Sequence, residues 1–167
     1  MAAGIPARVL GVDPGLVATG WALLEPRAAI PAVVDCGVIE TSADAVIETR
    51  LQAIYDGIAT LLDKHAPGLL VLEDLYAEYR FPRTALLMAH ARGVVCLAAR
   101  QRAVALLPLA PAEVKRAVAA NGAASKEQVQ HCMRRLLDLA ELPRPSHVAD
   151  ALALAYTGYL RTGGRLG

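Results

Sequence analysis

Cysteine is scarce in this chain. Cys36, Cys96 and Cys132 make an odd count with no C-x-x-C pair, which argues against a disulfide framework or a zinc knuckle. Long hydrophobic runs are missing too: none reaches the roughly 18 residues that a bilayer span requires. The opening stretch MAAGIPARVLGV has neither the charged nor the apolar region of a signal peptide. These absences lead to the expectation of a reducing, cytoplasmic setting without a membrane partner. No repeat, low-complexity tract or long linker interrupts the chain. Its 167 residues, 55% of them hydrophobic, suit one domain over residues 1–167 with a substantial core.

Charge of one sign is lacking overall, since the formal net charge is +1. The distribution is uneven. Residues 1–79 carry eleven acids against four bases, and residues 80–167 carry thirteen bases against five acids. Between Arg80 and Arg102 there are five arginines and no acid. This asymmetry points to a polyanion as partner of the second half.

The hydrophobic pattern divides the chain clearly. Residues 8–13, 18–25 (ATGWALLE) and 32–40 (AVVDCGVIE) are β-branched or aromatic-containing runs separated by Pro or Gly, and predict three strands. Val46, Ile47, Leu51, Ile54, Ile58, Leu61 and Leu62 recur at helical spacing before Pro67-Gly68. LLVLEDL reads as a strand buried on both faces. RTALLMAHARGVVCLAARQ predicts a helix, AVALLPLA a strand, and PAEVKRAVAA a helix with Pro at its first position that stops at Asn121-Gly122. SKEQVQHCMRRLLDL opens with a capping box of Ser125 and Gln128, and SHVADALALAYTGYLR is a last helix with Ser146 as expected N-cap. The order β-β-β-α-β-α-β-α-α-α implies an α/β fold: a mixed five-stranded sheet flanked by helices on both faces.

Acids fall at telling places. Asp13 ends the first strand, Glu73 ends the fourth, and Asp150 is expected in the first turn of the last helix, three residues after His147. Residues three apart share a helix face. If the first and fourth strands are neighbours, all four side chains converge. Two carboxylates 4 Å apart repel by roughly 4 kcal/mol at an effective dielectric near 20. A divalent cation between them removes that cost. Hard oxygens with one imidazole suit Mg²⁺ or Mn²⁺, the imidazole favouring Mn²⁺. Two such ions form the clamp used for in-line phosphodiester displacement. Each acid also has an ordinary explanation, as a turn residue, a solvated strand end or a complement to a helix dipole.

Four segments together resemble one family. VLGVDPGLVATGWALLE resembles the opening of the RuvC family, the bacterial Holliday-junction resolvases. VLEDLYAEYRFPRTALLMAHARGV is similar to that family's second motif, APAEVKRAVAANGAASKEQVQHCMRRLL to its V-K…G…K-x-Q-V-Q segment, and PSHVADALALA to its last motif. The matches run in order over roughly residues 8–160. The resemblance implies an RNase H-like fold, a homodimer, and paired symmetric metal-dependent nicks in four-way junction DNA during recombination and repair.

By the same resemblance Asp13, Glu73, His147 and Asp150 form the acidic tetrad holding two Mg²⁺ or Mn²⁺ ions. His147 is a departure, since many members carry aspartate there; it is read as a variant ligand. Lys126 is expected at the scissile phosphate and Lys115 on nearby backbone. These are two of only three lysines in a chain of fourteen arginines, and Lys126 sits at a helix N-terminus where a cation is unfavourable. Tyr76 is expected to stack on an unpaired base near the crossover. Tyr79, Arg80, Phe81 and Arg83 interleave aromatics with arginine for an opened strand, in a loop that departs from better-known members. The helix from Arg83 to Arg102, with its small and apolar face, is the expected dimer seam. Docking of a branch-migration motor complex, the preferred cleavage sequence and the physiological ion stay open at this level. So do three rival readings: an RNA-trimming RNase H-like enzyme, an actin-like phosphotransferase, whose phosphate loop GVDPGLVATGW also resembles, and a non-catalytic junction-binding module.

Overall fold

Two parallel strands at the middle of a sheet carry the acids to one edge of the molecule. The computed structural model describes residues 8–75 and 82–163. Its elements run β1 (Val9–Asp13), β2 (Ala18–Glu25), β3 (Ala32–Glu40), α1 (Ile47–His65), β4 (Leu69–Glu73), α2 (Pro82–Gln101), β5 (Ala105–Leu109), α3 (Pro111–Ala119), α4 (Lys126–Leu136) and α5 (Ser146–Arg161). This is the order expected from the hydrophobic pattern. The sheet order is β3-β2-β1-β4-β5. The first three strands form an antiparallel meander, and β1, β4 and β5 are parallel.

Side-chain alternation splits the sheet into two cores. Leu10, Val12, Leu23, Leu70 and Leu72 pack on one face under Ile54 and Ile58 of α1 and Ala91, Val95 and Ala98 of α2. Val9, Ala22, Leu24, Leu69 and Val71 pack on the other under Val114, Val129, Met133, Leu152 and Ala155 of α3, α4 and α5. Helices therefore cover both faces, and β1 and β4 are buried on both sides.

Glycine lets α5 lie directly on the strands. A Cβ on Gly11 would come within 2.1 Å of the Ala151 carbonyl oxygen, and one on Gly20 within 2.2 Å of that of His147. Both contacts are to backbone, so no side-chain adjustment could relieve them.

Several boundaries differ from expectation. Of the run LLVLEDL only the part up to Glu73 is strand, the acid closing β4 as expected: the ladder with β1 ends at Leu72 and that with β5 at Glu73. α4 stops at Leu136, and Leu139 N–H donates back to the Arg134 carbonyl at 2.9 Å around a left-handed Asp138. The capping box of Ser125 and Gln128 is present in both directions. Ser146, however, is not the N-cap of α5; Pro145 is, in extended backbone, and Ser146 is already helical. As a result Asp150 opens the second turn rather than lying in the first. The left-handed residues that close α1 and α3 are Ala66 and Ala120, not the glycines just beyond them. No helix among the described residues is long and apolar enough to cross a membrane.

Candidate metal centre

Alternation explains which acids can meet. Val9, Gly11 and Asp13 share one face of β1, and Leu69, Val71 and Glu73 share the same face of β4. The register pairs Val12 with Leu72, so Asp13 and Glu73 stand at adjacent strand ends under the first turns of α5. Asp13 also pairs with Gly20 on β2, the glycine on which the His147 backbone rests. One close contact thus seats the start of α5 beside Asp13.

The turn after Asp13 is held from below by Thr19, which is fully buried. Its hydroxyl donates to the Gly15 carbonyl at 2.8 Å and accepts from Gly15 N–H at 3.3 Å. A second clasp joins this turn to the end of β3. Thr41 donates to the Leu16 carbonyl at 2.5 Å and accepts from Arg50 Nε at 3.0 Å.

Asp13, His147 and Asp150 present ligand atoms that all lie within 4.8 Å of one another. His147 Nδ1 is 2.9 Å from Asp13 Oδ2, with the histidine side chain 38% exposed and the aspartate 13%. Glu73 lies outside that tight group but lines the same cleft of about 490 Å³, together with Lys115 and Lys126. Thr84, Leu87 and Met88 of α2, Val129 of α4 and Leu16 and Val17 of the β1–β2 turn complete the walls. These wall residues gave no signal in the sequence beyond ordinary hydrophobic spacing.

The electrostatics are those of too many anions in too little water. Burial, then repulsion by Asp13 and Asp150, pushes the Glu73 carboxyl up to about 7, against relief from Lys115 and Lys126. Burial, then Asp13, pushes Asp150 up to about 6. The hydrogen bond to Asp13 raises His147 above the usual imidazole range. A cation placed among these carboxyls would favour their ionised forms. Three carboxylates with a single imidazole are a donor set for a divalent ion, so the residues present fit one.

The remaining expected residues are placed as follows. Arg83 is exposed in the first turn of α2, next to the cleft-lining Thr84. Lys126 is the first residue of α4 and Lys115 lies on α3, and both line the cleft. Tyr76, Tyr79, Arg80 and Phe81 lie outside the described residues.

Comparison with known proteins identifies the family. The family model described as crossover junction endodeoxyribonuclease RuvC matches residues 9–158. The RuvC of Rhodopirellula baltica is 38% identical over 93% of this chain and 88% of its own length. That of Rhodococcus opacus is 42% identical over 89% and 78%. Among solved structures, T. thermophilus RuvC in complex with a Holliday junction substrate superposes with a TM-score of 0.86 at 33% identity, covering 95% of this chain and 97% of that one. Family match, sequence identity and fold coincide over the segments that bring Asp13, Glu73, His147 and Asp150 to one cleft, and on that ground the chain belongs to the RuvC family of crossover junction endodeoxyribonucleases.

Proposed function

We propose that this chain resolves four-way DNA junctions by metal-dependent phosphodiester hydrolysis. The observation that carries the reading is the convergence of Asp13, His147 and Asp150 within 4.8 Å, with Glu73 held beside them at a raised pKa. Asp13, Glu73, His147 and Asp150 would hold two divalent ions, Mg²⁺ or Mn²⁺, the imidazole favouring Mn²⁺. Ions so bound supply an activated water and charge stabilisation for in-line displacement.

The protein's own part is to position and neutralise. Asp13, fixed between the Thr19-clasped turn and the His147 ring, gives the centre a rigid base. Lys126 and Lys115 bring two ammonium groups to the cleft, suited to the scissile phosphate and the adjoining backbone. Leu16, Val17, Leu87 and Met88 make an apolar wall that lowers the local dielectric around the reacting phosphate. Displacement with loss of the 3′-oxygen leaves 5′-phosphate and 3′-hydroxyl ends. Arg83 at the cleft rim is suited to backbone, and Tyr76 and Arg80 remain proposed contacts to an opened strand.

Choice of a four-way junction needs two such clefts related by a two-fold axis. α2 offers a face for it: Leu86, Ala89, His90, Gly93 and Leu97 follow one another at helical spacing and are all exposed, Leu86 by 65% and Leu97 by 51%. Apart from His90 this exposed stripe is apolar, and such a face on a helix is a natural seam for a second copy. The solved RuvC with a Holliday junction substrate supports the substrate assignment.

The test is nicking of a labelled four-way junction and a matched linear duplex with Mg²⁺, Mn²⁺ or chelator, alongside Asp13→Asn. Paired nicks in the junction alone, lost with chelator or with Asp13→Asn while binding persists, are expected. Full activity of Asp13→Asn would overturn the metal assignment, and binding without nicks under every ion would leave a junction-binding module.

A further inference from the structure

Arg92 is the one arginine of α2 whose guanidinium reaches the end of β4. Its Nε donates to the main-chain carbonyl of Glu73 at 3.2 Å, and its Nη2 lies 3.3 Å from Asp74 Oδ1. Asp74 is itself tied in place: its N–H donates to the Leu109 carbonyl at 2.8 Å, and its Oδ1 accepts from Leu75 N–H at 3.0 Å. These bonds close around the point where the strand stops and the chain leaves the sheet.

A strand end that carries a ligand has a particular difficulty. Glu73 is repelled by Asp13 and Asp150, and the β1–β4 register has already run out beside it. The remaining ladder partner of Glu73 is Leu109 of β5, and on the β1 side the ladder no longer opposes a drift of the Glu73 backbone away from the other acids. A cation placed on the carboxylate would oppose it, but would also occupy the oxygens that a metal needs. Arg92 grips the carbonyl instead. The backbone is fixed by a charge-assisted donor and the carboxylate is left free. The planar fork suits this use, since one side chain reaches two acceptors on successive residues.

We propose that Arg92 is a positioning residue for the metal centre, anchoring Glu73 through its main-chain carbonyl from α2. The proposal rests on the junction-nuclease reading only in assigning metal to Glu73. It also joins two parts of the molecule, since Gly93, the next residue, is on the exposed stripe of α2. The end of β4 is therefore braced by the helix that bears the proposed seam.

Mn²⁺ binding followed by calorimetry tests the anchor without substrate. Arg92→Met is expected to weaken Mn²⁺ binding about tenfold, the usual effect of removing a group that orients a ligand. The Mn²⁺ concentration that half-saturates junction nicking should rise by the same factor, while the KM for junction at saturating Mn²⁺ and the melting temperature in chelator stay close to wild type. Arg92→Lys keeps the charge but cannot make both bonds, and should fall between the two. If Arg92→Met does not fold, Arg92→Lys carries the test. Wild-type Mn²⁺ affinity in a folded variant overturns the proposal, as does a loss of nicking that merely tracks the unfolded fraction. Wild-type protein that binds Mn²⁺ but never nicks a junction overturns the functional reading instead, and the calorimetric comparison still decides the role of Arg92.

Discussion

At Glu73 folding and the proposed metal binding pull most strongly against each other. In an unfolded chain its carboxyl titrates near 4.5, and in the metal-free fold at about 7. A raised value means that the folded protein holds the proton more tightly than the unfolded one. The associated stability is complete below pH 4.5 and is lost as the pH rises to 7. At about 1.4 kcal/mol per unit, the amount is on the order of 3 kcal/mol. Asp150 adds a smaller contribution of the same sign between 3.8 and about 6. Glu73→Gln imitates the protonated form and does not titrate. In chelator it should match wild type near pH 4 and exceed it by up to about 3 kcal/mol near pH 8, while failing to nick. Denaturant unfolding of both proteins across that range checks this. A stability difference that stays flat with pH would mean that Glu73 is not strained against its neighbours. Added Mn²⁺ should stabilise wild type increasingly as the pH rises, because the ion takes the place of the protons.

At the scale of elements, the controlling feature is how close α5 comes to the sheet. The first turn of α5 rests its His147 carbonyl on the Gly20 Cα, and Gly20 is the register partner of Asp13. A methyl there meets backbone at 2.2 Å and must lift the helix. Gly20→Ala should cost about 1–3 kcal/mol in stability. The greater loss is in activity, by roughly a hundredfold, since a shift of about 1 Å at a reacting centre has that effect. Nicking measured at a temperature where the variant is fully folded separates the two. Near-wild-type nicking would show that the seat of α5 does not set the site. This contact marks the limit of what the chain could disclose unaided. Strand and helix order were legible because each element carries its own periodicity, and the box of Ser125 and Gln128 because capping is local. Asp13 and Glu73 were legible because an acid closing an apolar run is conspicuous. Gly20 looked like any strand glycine, for its partner lies more than a hundred residues away. The N-cap at Pro145 and the left-handed Ala66 and Ala120 were hidden for a related reason: packing overrode the local preference for Ser and Gly. Arg92 was one arginine among many until α2 was laid across the end of β4.

At the scale of the whole molecule, the described residues present few places where a second copy could join. β5 is an edge strand, but Pro108, its penultimate residue, removes a backbone donor from it. β3, at the other edge, carries the charged Asp35 and an irregular register with β2. The stripe on α2 is continuous, largely apolar apart from His90, and backed by a core of Ala91, Val95 and Ala98. Among the described residues, a Cβ built on Gly93 would meet nothing within 4 Å, so another helix could approach closely there. A two-fold axis through α2 would also place the paired Arg92 anchors, and hence both Glu73 side chains, in fixed relation to the seam. Leu97→Glu puts a charge in that face without touching the site or the core. Burying an unpaired carboxylate costs several kcal/mol, and a loss of about 3 kcal/mol weakens a dimer more than a hundredfold. Sedimentation velocity at micromolar protein should then show a monomer with an unchanged melting curve in the monomeric range. Junctions treated with the variant should carry single, uncoordinated nicks at a reduced rate, where wild type is expected to give linear products from two nicks. A dimer that survives Leu97→Glu intact would move the seam off α2, and paired nicking by a proven monomer would remove the two-fold axis from the explanation of junction choice.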